Sequence, residues 1–454
     1  MAELMQHQKE ISDFVDQHKR ALVFADAGTG KTFAVLDAAR RHRTNGGGRV
    51  LVICTKAIMR PAWVDDCAKF TPELSIAVAE APAKTRHEAF ESGADIVVVN
   101  HDGAKWLADN MHLLDGFEFL AIDESTAFKN KDSQRSKAIA KVAQHFDVRL
   151  AMTGTPMPNG LLDVWHQVYL VDDGAHLGAR YYAFRAATHD PVEVAMGVKN
   201  WVPKAGAEEI VADLISPITL RYRLEDCVDL PDNHTTYRMI DLTGQLRRYY
   251  AEMEQDALIE LEGEDVTAVN AAALAGKLSQ IASGSVYGLD KDAYTLAPDR
   301  YDLIADLVAE RAYTLVAFQW RHQRQGILAA LERAGITDVA VIDGENNKDV
   351  HDTVHRFQNG EYRALLAHPA SAGHGLTLTR ASTVIWASPT WNAEHFEQFN
   401  RRIYRTGQTE KTETIIIAAR GTVDERAMDR LLGKVDRQTS TMELLRSMHP
   451  ARAA

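Results

Sequence analysis

The amino-acid sequence predicts an α/β fold with two tandem lobes, each built around a parallel β-sheet. Three observations predict this fold. Short apolar segments alternate with helix-like segments in the first half of the chain, the same alternation resumes in the second half, and a mostly helical stretch at about 160–300 separates the two. The apolar segments are rich in β-branched side chains, which is typical of strands that are buried on both faces. Strands that alternate with helices indicate an α/β layer architecture.

The order of these segments gives the domain organisation. The strands of the first half are predicted at 21–25, 50–54, 95–99, 119–123 and 149–153, and those of the second half at 313–318, 339–343, 364–367, 383–386 and 414–418. We therefore predict a first lobe at 1–225 with a helical insertion at about 160–215, and a linker near 221–240. The second lobe is predicted at 226–454 with a helical insertion at about 245–295.

Composition limits the class of protein. The chain has 454 residues, of which 46% are hydrophobic and 25% charged, as in ordinary soluble proteins with a large core. Its three cysteines, Cys54, Cys67 and Cys227, form no CxxC pair, which argues against a zinc site and favours a reducing compartment. No apolar run reaches the roughly 20 residues that span a bilayer, so we expect a cytoplasmic protein without membrane contact.

A phosphate-binding loop is predicted directly after the first strand. Residues 24–32 end in Gly-Lys-Thr, where the glycines let backbone N–H groups surround phosphate oxygens, Lys31 reaches the β- and γ-phosphates, and Thr32 binds Mg²⁺ through its hydroxyl. Ala25 stands where the strict pattern has glycine. A glycine-rich turn without a ligand and the loop of a kinase or transporter ATPase are the alternatives. The residues expected to contact the nucleotide are Ala27, Gly28, Thr29, Gly30, Lys31 and Thr32.

Two carboxylates follow the fourth predicted strand. Asp123 is expected to bind Mg²⁺ together with Thr32, and Glu124 to polarise the attacking water. An acidic turn that caps a helix is the structural alternative. A kinase has no use for a water-activating glutamate at this point and leaves the second half of the chain unexplained, so the pair favours ATP hydrolysis.

Further motifs follow in a consistent order. They lie at residues 4–8, 56–63, 99–102, 123–130 and 152–159 in the first half, and at 315–319, 342–344, 371–379, 398–408 and 421–426 in the second. The motifs and their order resemble those of the Swi/Snf-type DNA translocases of helicase superfamily two, and the resemblance extends from about residue 4 to about residue 434. The sequence departs from the family pattern at Thr55, Thr126, Thr377 and Tyr404.

The resemblance implies two tandem RecA-like lobes and assigns roles residue by residue. Gln8 is the expected adenine contact, and Arg402 and Arg405 are the expected arginine fingers, which stabilise charge on the transferring phosphoryl group. A segment at about 420–440 is expected to brace the lobes. The residues expected to couple hydrolysis to movement are Thr153, Thr155, Gly373, Gly375 and Gln398. The expected DNA contacts are Lys56, Asn100, Ser371, Thr377 and Trp391; a tryptophan at the end of a strand is also a common core residue.

The function that the resemblance implies is ATP-driven translocation on double-stranded or branched DNA, with ATP and Mg²⁺ as cofactors. Roles in recombination, repair or replication in a bacterial or phage-infected cell are expected, and so is a monomer. The net charge of −12 argues against broad coating by nucleic acid, although a local basic groove remains compatible with it. Two alternatives stay open: a helicase that separates DNA or RNA strands with a wedge in one insertion, and a nucleotide-gated DNA-binding scaffold that does not hydrolyse ATP productively.

Overall fold

The fold consists of two compact units. The computed structural model describes residues 3–428 except 196–197, 243, 263–267, 288–292, 296–297, 344–349 and 373–375. The first unit runs to Asp229 and the second begins at Leu230, four residues after the boundary proposed from the sequence. None of the helices in the described part of the chain is both long enough and apolar enough to cross a membrane.

The first unit is built on a parallel sheet, which has seven strands among the described residues. The strands of this unit are β1 Arg20–Ala25, β2 Arg49–Cys54, β3 Ile76–Ala79, β4 Ile96–Asn100, β5 Phe117–Asp123, β6 Val148–Thr153, β7 His189–Ala195, β8 Val198–Pro203 and β9 Thr219–Tyr222. The order in the sheet is β3-β4-β2-β5-β6-β1-β9, and every neighbouring pair is parallel. β7 and β8 form a separate antiparallel hairpin.

Helices cover both faces of this sheet. They are α1 Gln6–His18, α2 Lys31–Thr44, α3 Asp65–Phe70, α4 Ala83–Glu91, α5 Gly103–Asp109, α6 Gln134–Ala143, α7 Val164–Asp172, α8 Tyr181–Thr188, α9 Ala207–Ile215 and α10 Leu224–Cys227. Side chains of α1 and α2 pack with Val50 and Val52 of β2, whereas side chains of α5 and α6 pack with Leu51 and Ile53. Successive strand residues therefore enter opposite cores, which explains the continuous apolar segments in the sequence.

Three parts of the first unit differ from the sequence prediction. The insertion at about 160–215 is only partly helical, because it contains the β7–β8 hairpin between α8 and α9. The short strand β3 has only four residues and was not predicted. The stretch interpreted as a linker near 221–240 contains the last residues of β9 and the strand β10, Asn233–Ile240, so both sheets extend into it.

The second unit repeats the architecture. Its remaining strands are β11 Ser285–Tyr287, β12 Ala293–Thr295, β13 Thr314–Ala317, β14 Val339–Ile342, β15 Ala364–Ala367, β16 Thr383–Trp386 and β17 Thr412–Ala419, and its helices are α11 Gly244–Glu262, α12 Ala268–Ala282, α13 Asp299–Ala309, α14 Arg321–Arg333, α15 Val350–Gln358 and α16 Ala393–Asn400. The sheet has the order β10-β17-β16-β13-β15-β14, parallel throughout the described strands. The predicted insertion at 245–295 comprises α11, α12 and the antiparallel β11–β12 hairpin.

A buried arginine joins several elements of the second unit. The guanidinium of Arg300 donates hydrogen bonds to the carbonyls of Ala387, Ile417 and Ala282, and forms an ion pair with Asp424 at 2.8 Å. Both side chains are at most 2% exposed. Asp424 lies in the segment expected to act as a brace, so the described part of that segment, up to residue 428, is anchored within its own unit.

Candidate functional site

The phosphate loop occupies the turn between β1 and α2. Gly28 has a φ of +93° and Gly30, which caps the N-terminus of α2, has a φ of +76°, a region that side chains with a Cβ rarely enter. A Cβ on Gly30 would also lie 2.2 Å from Nε2 of Gln8. Both glycines are therefore required by the conformation of the loop, and the loop ends in the N–H groups of a helix, which favour bound anions.

Lys31 folds back onto the loop. Its ammonium donates a hydrogen bond of 2.6 Å to the carbonyl of Ala25 and a longer one of 3.4 Å to that of Asp26. The hydroxyl of Thr29 donates to the same Asp26 carbonyl at 2.9 Å. The backbone on either side of Asp26 thus determines where the positive charge of the loop lies.

The predicted adenine contact is attached to the same loop. Gln8 is 5% exposed, and its amide Nε2 donates to the carbonyl of Thr29 at 3.2 Å. The Oε1 atom of Gln8 accepts from the backbone N–H of Met5 at 2.9 Å, which fixes the orientation of the amide. Nε2 of His7 also lies 2.7 Å from the carbonyl oxygen of Thr29. Because a carbonyl oxygen can only accept a hydrogen bond, this nitrogen carries a proton and is the donor.

The two acidic residues lie at the carboxyl end of β5. Asp123 is the last residue of the strand, and Glu124 has a left-handed φ of +53° and donates its N–H to Oδ1 of Asp123 at 3.0 Å. Burial and the nearby charge of Glu124 raise the pKa of Asp123 to about 6, whereas Lys31 and the Trp63 indole act in the opposite direction. Burial and a like charge both disfavour the ionised carboxylate, so a cation is the partner that this site favours.

The motif that is expected to couple hydrolysis to movement contacts the second carboxylate directly. Thr153, the last residue of β6, donates its hydroxyl to Oε2 of Glu124 at 3.1 Å. The backbone N–H of Thr155 in turn donates to the Thr153 hydroxyl at 3.2 Å. This connection forms although Thr126 replaces the histidine of the family pattern. The Thr155 hydroxyl is buried without a hydrogen-bond partner.

The residues present fit a magnesium ion bound together with nucleotide phosphates. Among the described residues there is no cluster of three or more histidine, cysteine, aspartate and glutamate side chains that would hold a metal ion by itself. Mg²⁺ commonly uses one or two protein oxygens, several waters and the phosphates instead. The buried carboxylate of Asp123, disfavoured as an anion, and the hydroxyl of Thr32 at the start of α2 provide such oxygens.

Four further residues belong to the site but were not selected from the sequence as nucleotide-site residues. Trp63 is fully buried beside Asp123, and His101 places Nε2 2.8 Å from the Asp123 carbonyl. Asp26 and Arg221 form a buried ion pair at 2.8 Å directly on the phosphate loop. Trp63 and His101 lie in the motifs at 56–63 and 99–102, from which only the DNA contacts Lys56 and Asn100 were predicted, so their proximity to the acidic residues could not be inferred from the sequence. Arg221 lies far from the loop in sequence, and no local pattern identifies it.

The predicted DNA contacts of the first unit lie at one edge of its sheet. Asn100, the last residue of β4, is paired in register with Cys54 of β2, and exposed Lys56 follows two residues later. The carboxyl ends of neighbouring parallel strands meet at the same edge, which brings these residues to one side. The amide oxygen of half-buried Asn100 accepts from Arg86 at 3.3 Å.

In the second unit, the two arginines that are expected to act as fingers both approach the backbone carbonyl of Leu376. Arg402 is 4% exposed, and its Nη1 lies 3.4 Å from the Leu376 carbonyl, which also accepts from Nη1 of Arg405 at 3.0 Å. Gln398 is buried and donates to Glu394 at 3.1 Å. Gly373 and Gly375 lie outside the described residues.

The remaining predicted DNA contacts also lie in the second unit. Ser371 and Thr377 are half-buried. Trp391 packs against a hydrophobic cluster around α11 and α12, and its indole nitrogen lies 3.5 Å from the Ser279 hydroxyl. Its packing is that of a tryptophan at the margin of a core, with part of its surface accessible.

Comparison with known families matches both halves of the chain. The model of the SNF2-related domain matches residues 6–283, and that of the helicase conserved C-terminal domain matches residues 299–407. The first match covers more than half of the chain and includes the phosphate loop, the acidic pair and Thr153. The second includes Arg402 and Arg405.

Similar proteins occur in phages and bacteria. The chain is 30% identical to putative protein p41 of Acyrthosiphon pisum secondary endosymbiont phage 1, over 94% of this chain and 95% of that one. It is 26% identical to an uncharacterized ATP-dependent helicase of Mycoplasma pneumoniae and 25% identical to the putative ATP-dependent helicase/translocase YwqA of Bacillus subtilis, over 91% and 88% of this chain. It spans only 39% and 44% of those two bacterial proteins.

Among solved structures, the Sulfolobus solfataricus SWI2/SNF2 ATPase core in complex with dsDNA is 22% identical, with a TM-score of 0.46 over 98% of this chain and 95% of that one.

Proposed function

Because this chain belongs to the family of the SNF2-related domain and carries a helicase C-terminal domain, we propose that it is an ATP-hydrolysing translocase that moves on double-stranded or branched DNA. Membership of this family makes it an ATP-dependent enzyme of the helicase class. The proposal adds the duplex substrate and movement along it. Roles in recombination, repair or replication are part of the proposal, as is action as a monomer inside a bacterial or phage-infected cell.

The observation that carries the proposal is the hydrogen bond between Thr153 and Glu124. A carboxylate that activates water changes its charge or its hydrogen bonds during each turnover. Here the residue expected to do so is bonded to the motif that the family resemblance assigns to coupling. A change at Glu124 is therefore felt at Thr153 and, through the bond to its backbone N–H, at Thr155. A nucleotide-binding scaffold without hydrolysis would not need this connection.

The proposed chemistry follows from the same residues. Lys31 binds the β- and γ-phosphates from its place on the loop, and Glu124 accepts a proton from the attacking water. Asp123 and Thr32 would hold Mg²⁺, which supplies neutralisation of phosphate charge. Arg402 and Arg405 supply further positive charge to the transferring phosphoryl group. Arginine fingers act only when they reach the transferring phosphoryl group, so the contribution of these two arginines would depend on a conformational change.

Contact with DNA is proposed at the edge of the first sheet where Lys56 and Asn100 lie, together with Ser371, Thr377 and Trp391 of the second unit. Contacts to phosphates fix position without reading sequence. We therefore expect binding that is insensitive to base sequence and weakens as the salt concentration rises.

A parallel measurement of ATP turnover tests the substrate. Phosphate release is measured with duplex DNA, branched DNA, single-stranded DNA, RNA and no nucleic acid. The expected result is strong stimulation by duplex or branched DNA. Stimulation by single-stranded DNA or RNA alone would contradict the duplex substrate, and turnover that no nucleic acid changes would contradict translocation altogether.

A second pair of assays separates translocation from strand separation. A translocase displaces the third strand of a triplex but leaves a labelled duplex intact, whereas a strand-separating helicase releases the labelled strand. The two hairpin-containing insertions are the elements that could act as a wedge. Release of the labelled strand from duplex DNA would replace the translocase by the helicase as the proposed function.

A further inference from the structure

An ion pair that the nucleotide-binding motifs do not include holds the phosphate loop. Asp26 lies between the end of β1 and the glycines, and its carboxylate is 3% exposed. Its Oδ1 accepts from Nη2 of Arg221 at 2.8 Å, and its Oδ2 accepts from the backbone N–H of Leu224 at 3.1 Å. Its own N–H donates to the carbonyl of Tyr222 at 3.1 Å. Three of its polar groups are thus bound by one short segment, residues 221–224.

Arg221 is placed for this contact by the sheet. It lies in the edge strand β9, directly opposite Phe24 of β1 in the parallel register. Its side chain is 6% exposed, and its Nη1 donates to the carbonyls of Phe24 and Tyr222. The guanidinium therefore spans the end of β1 and the first residue of the loop. A planar group with several fixed donors suits such a position better than the single ammonium of a lysine.

The contacts of Asp26 extend to the groups that bind phosphate. Its backbone carbonyl accepts from the ammonium of Lys31 and from the hydroxyl of Thr29. Rotation of the Asp26 peptide would therefore displace both. The segment that binds the carboxylate overlaps the last residues of the first unit, which ends at Asp229 at this point of the chain. Residues 223–229 are the connector that leads from this segment to the second unit. The phosphate loop is thus tied to the connector through which the chain passes to the second unit.

We propose that Arg221 is a positioning residue, which acts through Asp26 to keep the phosphate loop in its nucleotide-binding shape and to link that shape to the connector at residues 223–229. The proposal rests on the proposed function, since it presumes that the loop binds ATP. It adds to that function a series of contacts within the first unit, which runs from the connector through Arg221 and Asp26 to Lys31. A change in the connector would alter nucleotide affinity through this pair.

The test compares stability with nucleotide affinity. The variants are Arg221→Met, Arg221→Lys and the double variant Asp26→Asn with Arg221→Met, which leaves no unpaired buried charge. The control is Arg149→Met, because Arg149 is a 4% exposed arginine of β6 that pairs with Asp173 at 2.7 Å. Arg149 is in register with Arg20 at the opposite end of β1, about 16 Å from the loop at roughly 3.3 Å per residue. Each full-length protein is measured for its unfolding temperature and for the Kd of a fluorescent ATP analogue without DNA.

The expected result is a separation of the two readouts. Arg221→Met weakens nucleotide binding about tenfold, as expected for the loss of a charge-assisted hydrogen bond. The double variant recovers most of the unfolding temperature but remains weak in nucleotide binding. Arg221→Lys lies between the wild type and Arg221→Met in affinity. Arg149→Met lowers the unfolding temperature and leaves the Kd within about twofold of the wild type.

Two results would overturn the proposal. One is a nucleotide affinity that recovers together with stability in the double variant, which would make the pair a structural element only. The other is a wild-type nucleotide affinity in both Arg221→Lys and Arg221→Met. If Arg221→Met does not fold, the double variant takes its place in this comparison. Nucleotide binding is measured here without DNA. If the protein binds ATP but DNA does not stimulate its ATP turnover, the proposed translocase function is contradicted, whereas the comparison of nucleotide affinities among these variants remains valid.

Discussion

The ionised side chain of Asp123 destabilises the folded protein when no cation is bound, and the replacement Asp123→Asn should therefore raise the free energy of unfolding. The pKa of Asp123 is raised from 3.8 to about 6 by burial and by Glu124. A tenfold change in the proton affinity of a carboxylate corresponds to about 1.4 kcal/mol between its two protonation states. The ionised side chain therefore costs about 3 kcal/mol in the folded protein well above pH 6. Asp123→Asn removes the charge at nearly constant volume, so the variant should be more stable than the wild type by about 2–3 kcal/mol at pH 8.

The sign of the pH dependence follows from the direction in which the pKa of Asp123 moves on folding. An acid whose pKa is higher in the folded state than in the unfolded state stabilises the fold when it is protonated, and loses this contribution as the pH rises through the folded pKa. The difference between Asp123→Asn and the wild type should therefore be small near pH 4, grow between about pH 4 and pH 6, and level off above pH 6. At the same time the variant should lose ATP turnover, because an amide is a poor ligand for Mg²⁺.

The assay is urea unfolding of the full-length proteins in EDTA at several pH values. The two halves of the molecule need not unfold together, so the transition of the first unit is followed separately, by hydrogen exchange of the buried strands β1 and β5. Asp115→Asn is the matched control, because it makes the same chemical change at an exposed position just before β5. A first unit that is equally stable or less stable in Asp123→Asn at pH 8, relative to that control, would refute the electrostatic reasoning.

Four further predictions concern the remaining groups. Lys31→Ala should abolish hydrolysis, because the loop loses the charge held at the Ala25 carbonyl; retained turnover in a phosphate-release assay would exclude this loop as the catalytic site. Glu124→Gln should bind ATP but turn it over at least about 10²-fold more slowly, and loss of binding in a filter assay would contradict its role. Arg405→Ala should keep the Kd for nucleotide while the rate falls about 10³-fold or more, so an unchanged rate would remove its assignment as a finger. Burial lowers the pKa of His166 from 6.5 to about 4. The free energy of unfolding of the wild-type first unit, measured relative to that of His166→Gln, should therefore fall by about 3 kcal/mol as the pH drops from about 6.5 to 4, and an unchanged difference in pH-dependent unfolding would contradict this burial effect.

The sequence predicted the central strands of both sheets because their signal is local. The segment at 364–367 is fully apolar, and the structure has β15 at Ala364–Ala367. Strands at the margins gave weaker signals. β9 carries Arg221 and Tyr222, and β10 is mostly polar and has no buried residue, so neither has the apolar run of a buried strand. The hairpin β7–β8 was missed for the same reason, since Pro191 and charged residues interrupt its pattern.

By itself, the sequence determined which chemical groups are available and where the chain can bend to present them. Gly28, Gly30, Lys31 and the Asp123–Glu124 pair could be identified because glycine freedom and strand–loop–helix order act over a few residues. Only the tertiary structure decided which distant groups meet. Asp26 and Arg221 are 195 residues apart in the chain and touch because β1 and β9 are neighbours in register. Register is set by the packing of the whole sheet against its helices, and no local pattern contains that information.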